Sequence, residues 1–102
     1  MPRLIALYAT PDDPAAFDAH YGDIHTPIVE RYPNLRALRV TRPRGVAGQA
    51  APWHLMAEMV FDSEDDLRAA LASDAGRESA RDLRNFAQAG LTLFIAPDEA
   101  DA

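Results

Sequence analysis

Three observations predict an α+β fold, an antiparallel four-stranded sheet with helices on one face. Four short segments rich in strand formers, Arg3–Thr10, Leu35–Arg42, Trp53–Phe61 and Leu91–Ala96, alternate with amphipathic stretches in the order β-α-β-β-α-β. Helix start signals, Asp13-Pro14 and Ser63 with Asp66, stand where the apolar period changes from 2 to 3.6. The second and third strands are joined by a loop alone, which completes the split βαβ arrangement known as ferredoxin-like. One domain over residues 1–97 is expected, with a short acidic tail at 98–102 that should fray.

The first strand, RLIALYAT, is apolar on both faces, with Leu4, Ala6 and Tyr8 on one and Ile5 and Leu7 on the other. Both faces therefore need cover. Pro11-Asp12-Asp13-Pro14 stops it and starts a helix, Asp13 at the N-cap and Pro14 at the first helical position. That helix is expected to reach about Arg31 and to end at Tyr32-Pro33-Asn34. On a straight helix Phe17, Tyr21, Ile24 and Ile28 make one apolar stripe, with Tyr32 on its edge and His25 at its margin. Pro27 cannot donate to the Asp23 carbonyl and crowds it, so a kink is expected near Thr26, a candidate second N-cap.

Pro43 to Pro52 reads as a long loop before the third strand. In that strand Trp53, Leu55, Ala57, Met59 and Phe61 form an apolar face and His54, Met56, Glu58 and Val60 a mixed one, which suits a cavity wall. Ser63 then caps a helix that buries Leu67, Ala70 and Leu71. Ser73 caps another, to about Gln88, that buries Ala75, Leu83, Phe86 and Ala87 and stops at Gly90. Since helices cover one sheet face and the first strand is apolar on both, a second copy packed sheet to sheet is the expected cover, making the protein a homodimer.

Composition narrows the chemistry. The chain has no cysteine and no lysine, which removes thiol nucleophiles, disulfides and Schiff bases and leaves proton transfer to His, Asp, Glu or Tyr. The net charge is −6, against nonspecific binding to nucleic acid. Its distribution is uneven: Arg31 to Ala57 holds five arginines and no acid, so the rest, with five arginines against sixteen acids, stands at −11. Pairing of that basic strand with acidic helices is the first reading, an anionic ligand the second. No apolar run is long enough to span a membrane, and Met1-Pro-Arg-Leu leads into a strand without a signal-peptide stretch, so a soluble cytoplasmic protein is expected.

His20 and His25 lie about 140° apart on a regular helix, so they should not share a metal, even with Asp18, Asp23 or His54 added. Phosphate-cradling glycine loops and a nucleophile elbow are absent, Gly45-Val-Ala-Gly48 being a lone GxxG. What remains is acid–base chemistry in a small cavity. His25 is the prime candidate, with Tyr21 one turn earlier to orient it or to bind a substrate oxygen. The competing reading has His25 capping carbonyls freed by the kink. His54, Glu58 and Met56 on the mixed strand face, Tyr8 on the first strand and His20 are the candidate substrate contacts. His20 lies about 85° off the stripe, so a flank position is its first reading.

Phe17-x-x-His20-Tyr21-x-x-x-His25-x-Pro27, Pro33-Asn34-Leu35, Phe61-Asp62-Ser63 with Leu67 and Leu71-x-Ser73-x-x-Gly76, and Asp82-x-x-Asn85-Phe86-Ala87 together resemble the EthD family, named for ethyl tert-butyl ether degradation. The family's H-Y-x-x-x-H-x-P signature falls on His20, Tyr21, His25 and Pro27, and its usual P-G-L is Pro33-Asn34-Leu35 here. The resemblance implies a dimeric α+β barrel, a superfamily that includes cofactor-independent monooxygenases, muconolactone-type isomerases and haem-using relatives, so fold does not choose the reaction. No flavin, nicotinamide or haem motif is visible, and no cofactor is expected. The function expected is binding of a small hydrophobic or aromatic organic molecule in a barrel pocket, with histidine acid–base or cofactor-free oxidation chemistry in catabolism or secondary metabolism. A non-catalytic carrier serving an oxygenase system is the alternative, and haem handling through His25 or His54 a third.

Overall fold

The computed structural model describes residues 1–98, and most of the expected acidic tail lies outside them. Strands β1 (Arg3–Ala9), β2 (Ala37–Thr41), β3 (Trp53–Val60) and β4 (Leu91–Ala96) form one antiparallel sheet in the order β2-β3-β1-β4. Helices α1 (Pro14–His20), α2 (Thr26–Glu30), α3 (Glu64–Ala72) and α4 (Asp74–Phe86) lie on one face of it. The two layers make a slab of 37 × 36 × 17 Å. This is the expected α+β, ferredoxin-like arrangement. No described helix is long and apolar enough to cross a membrane.

The core lies between the layers and follows the strand period. Leu4, Ala6 and Tyr8 of β1 pair with Met59, Ala57 and Leu55 of β3, and all six are buried beneath the helices with Phe17, Val29, Leu67, Ala70 and Phe86. Phe61, just past β3, is fully enclosed. Asp13 caps α1 through the Ala16 amide, Ser63 caps α3 through Asp66, and Ser73 caps α4 through Gly76, as expected. Asn34 takes φ 62° after α2, a left-handed position that glycine or asparagine fills most readily. The Asp98 carboxylate, at the start of the expected tail, pairs with the Met1 amino group at 2.8 Å.

Two expectations need correction. The helix from Pro14 does not kink at Thr26; it passes without a break through a π-helical turn, Tyr21–His25, in which the Thr26 amide bonds to the Tyr21 carbonyl. Pro27 has no amide to give, and widening the turn ahead of it accommodates its ring at the start of α2. Thr26 is therefore helical and caps nothing. The extra residue in the turn also shifts the helix phase. Ile24, expected on the apolar stripe, is 49% exposed, while His25, expected at its margin, is 3% exposed.

The second correction concerns β3. Tyr8 pairs with Leu55 but Ala9 with Trp53, so His54 is the extra residue of a β-bulge. Strict alternation fails there. His54 is re-aimed toward α1, and Trp53 is only half-buried rather than core.

Candidate functional site

The site is built where the π-turn, β1 and α4 meet. Tyr8, Tyr21, His25, Val29, Tyr32 and Ser79 are among the residues that line a cavity of about 60 Å³ between α4 and the sheet. Leucines and alanines supply most of the remaining wall, and no arginine contributes to it. The basic segment instead meets acids of the helices and their caps, Arg31 with Glu78 at 2.7 Å, Arg42 with Asp18 at 3.0 Å and Arg36 with Asp62, the first of the two readings offered for it.

His25 enters the cavity wall because the π-turn points it inward, and α4 holds it there. Its Nδ1 lies 2.9 Å from Oδ2 of Asp82, itself only 7% exposed. His20 Nε2 donates to the same carboxylate at 2.8 Å, and the Asn85 amide donates to it at 3.0 Å. The rings of His20 and His25 sit against Phe86, with centroids 4.9 and 4.8 Å away. A regular helix would set the two histidines on different sides, whereas an i→i+5 turn returns residues five apart to the same side. The 140° separation reasoned for a regular helix therefore does not hold here, and the two rings meet on one carboxylate.

In the sequence Asp82 stands only in the motif Asp82-x-x-Asn85-Phe86-Ala87 of the resemblance, with no role at the site. It belongs to the stripe Ala75, Ser79, Asp82, Phe86, spaced i, i+4, i+7, i+11 along α4, all buried. A lone acid on an apolar stripe was the available signal.

Burial pushes the His25 imidazole toward the neutral form, and outweighs the opposing pull of Asp82. Burial also works against charge on Asp82, but hydrogen bonds from Asn85, His25 and His20 hold its carboxyl below the usual carboxylate range. The resting arrangement is a neutral His25 whose Nδ1–H donates to an ionised Asp82. That tautomer leaves Nε2 with its lone pair free, the form a general base requires.

The tyrosines supply donors. Tyr32 and Ser79 share a hydrogen bond of 2.5 Å. Burial raises the Tyr21 hydroxyl to about 12 and raises that of Tyr8 further, so both stay protonated. Tyr8 is 2% exposed, and its hydroxyl has no partner among the described residues although no fully enclosed side-chain polar atom there is left unpaired. Its oxygen therefore opens onto the cavity. With His25 Nε2 it makes a donor and an acceptor on a wall that is otherwise mostly apolar.

The other candidates lie elsewhere. Met56 and Glu58 are on the sheet face away from the helices, where Glu58 pairs with Arg3 at 3.2 Å, so neither lines this cavity nor reaches a histidine. His54 sits at the bulge against Phe17, ring centroids 5.1 Å apart, with Nε2 2.9 Å from Asp18 Oδ1 and 2.8 Å from Arg42 Nη1. Against the cost of burial, His54 and Arg42 hold the Asp18 carboxyl below its usual range. His20 lines a separate surface cleft of about 460 Å³ with Asp12, Asp13, Asn85 and Gln88.

Residues 10–90 match the model of the EthD domain. An uncharacterized 11.0 kDa protein of the thcB–thcC intergenic region of Rhodococcus erythropolis is 32% identical over 97% of this chain and 96% of its own length. The crystal structure of an EthD family protein from Bacillus halodurans C-125 superimposes with a TM-score of 0.90 at 39% identity, covering 97% of this chain and 99% of the other. At 18% identity the fold alone is shared with SnoaB, a cofactor-independent oxygenase from Streptomyces nogalater (TM-score 0.65, 97% and 94% covered). It is shared likewise with a dimeric ferredoxin-like protein from Thermobifida fusca YX (19% identity, TM-score 0.61, 94% and 89% covered). The matched length, the shared fold and the identities above agree: the chain belongs to the EthD family.

Proposed function

We propose that the protein binds a small, neutral hydrophobic or aromatic molecule carrying an oxygen substituent, and that His25 moves a proton on it. The observation that carries this reading is the neutral His25, buried in an apolar wall, with Nδ1 held by Asp82 and Nε2 left free. Tyr8 and Tyr21 are the hydroxyl donors for the substrate oxygen, where negative charge develops as His25 takes the proton. The wall has no cation, so a ligand that enters as an anion is disfavoured. Proton removal of this kind serves both isomerisation and cofactor-free oxidation, and the oxygenase SnoaB with the same fold supports the second, in catabolism or secondary metabolism. The cavity is narrow as it stands, so a flat ring fits it better than a bulky ligand.

The protein works as a homodimer in this reading. Leu7 and Met56 are half-buried and Phe94 is 44% exposed on the sheet face that no helix covers, and a dimeric relative shares the fold. A panel of phenols and enolisable ketones tested with wild type and His25→Asn decides the matter. Loss of turnover by at least about 100-fold with ligand affinity kept within a few-fold is expected for a general base. Loss of affinity without any turnover in the wild type would instead make the chain a carrier.

A further inference from the structure

We propose that His20 is a positioning residue that acts through Asp82 to keep positive charge off His25, so that the buried imidazole stays a base as the medium is acidified. This rests on the reading of His25 as the acid–base group. Two imidazoles share one carboxylate: His20 Nε2 lies 2.8 Å from Oδ1 and His25 Nδ1 2.9 Å from Oδ2. One negative charge balances one cation. A second proton would leave a cation without a counter-charge beside an apolar cavity, which is costly.

The two rings differ in where they face. The His20 side chain is 24% exposed and opens on the surface cleft, with Asp12 and Asp13 on the same cleft, while the His25 side chain is 4% exposed. Desolvation therefore penalises charge on the inner ring, and the solvated outer ring is the one that carries it. The remaining groups around the pair do not compete. From α4 there are Asp82, the neutral Asn85 and Phe86, and the hydroxyls of Tyr8 (β1), Tyr21 (π-turn) and Tyr32 (after α2) are kept protonated by burial. Burial is the main cause of the depressed proton affinity of His25, and a His20 cation across the shared carboxylate adds to it in the same direction. Such coupled rings load one proton, not two.

The test is an NMR titration of the histidine rings in the full chain, wild type and His20→Gln. The glutamine amide can still donate to Asp82 but cannot ionise. Proton affinity of His25 is expected to rise about tenfold in the variant, one unit toward an ordinary imidazole. The wild-type His25 curve should carry an inflection at the midpoint of His20. An unchanged or lower His25 midpoint in a folded His20→Gln protein overturns the proposal. If the variant does not fold, the wild-type curve decides alone: an inflection supports the coupling and its absence overturns it. No substrate enters these readouts, so a chain that shows the shift but turns over no ligand would refute the proposed function and leave the coupling intact.

Discussion

Asp82 is the residue on which the site depends, since it fixes the tautomer of His25 and joins that ring to His20. The same arrangement sets the response to pH. In the unfolded chain His25 takes a proton as pH falls through about 6.5, whereas in the folded chain it resists, so stability declines with acidification below that point. Asp82 works in the same direction. Its depressed affinity contributes stability that is present above about pH 3.9 and is lost as pH falls further. Thermal unfolding followed by circular dichroism should show a melting temperature that drops from pH 7 to pH 5. In His25→Asn that slope should flatten, by about 1.4 kcal/mol for each unit of His25 depression removed. An equal slope in the variant would mean that His25 does not govern it. In the sequence, the chemistry-bearing types were legible at this scale: His25, Tyr21 and Tyr8 reach the cavity. Asp82 was not, because its partners lie 57 and 62 residues away and only the folded chain shows that an acid on an apolar helix face has donors waiting.

Elements were the most legible level, and they failed at two places for the same reason. Caps, strand alternation and the glycine stop each rest on local chemistry, so Asp13, Ser63 and Ser73 cap as expected and Gly90 takes φ 126° after α4. The π-turn and the bulge at His54 each insert one residue into a regular repeat. Periodicity arguments carry no term for such an insertion, so residues in or beside it, Ile24, His25 and Trp53, fall on other faces than expected, while Ile28 and Leu55 beyond it keep theirs. Packing between α3 and α4 depends on a close approach that sequence alone also hides. A β-carbon on Gly76 would fall 2.3 Å from the Ala70 carbonyl oxygen and 2.5 Å from that of Leu71. Gly76→Ala is therefore expected to destabilise by about 1–3 kcal/mol, read from the urea midpoint, because backbone must move to admit the methyl group. No shift in midpoint would show that the helices part freely.

At the scale of the molecule, one side of the slab is finished and the other is not. Helices shield Leu4, Ala6 and Tyr8, while Leu7, Met56 and Phe94 face outward from the same sheet. The proposed homodimer places a second sheet on them. Leu7→Asp should then halve the mass measured by light scattering while circular dichroism stays native, since the residue lies outside the core of one chain. A wild-type chain that is already monomeric at micromolar concentration would count against the dimer. That both faces of the first strand need cover was evident from its alternation; which copy or element supplies it is a property of assembly that no single chain encodes by itself.

The π-turn amounts to one residue inserted into an ordinary helix, so a single deletion would remove it. Gly22 is exposed and meets nothing that a side chain would strike, so removing it would not disturb the core directly. It would return the helix to an ordinary repeat with the two histidines four apart on one face, so the deletion variant should fold with both rings still on Asp82, visible as coupled NMR titrations; two independent titrations would show that the wide turn itself is needed to pair them. A lineage can thus gain or lose the widened turn by one codon while keeping both the scaffold and the paired histidines.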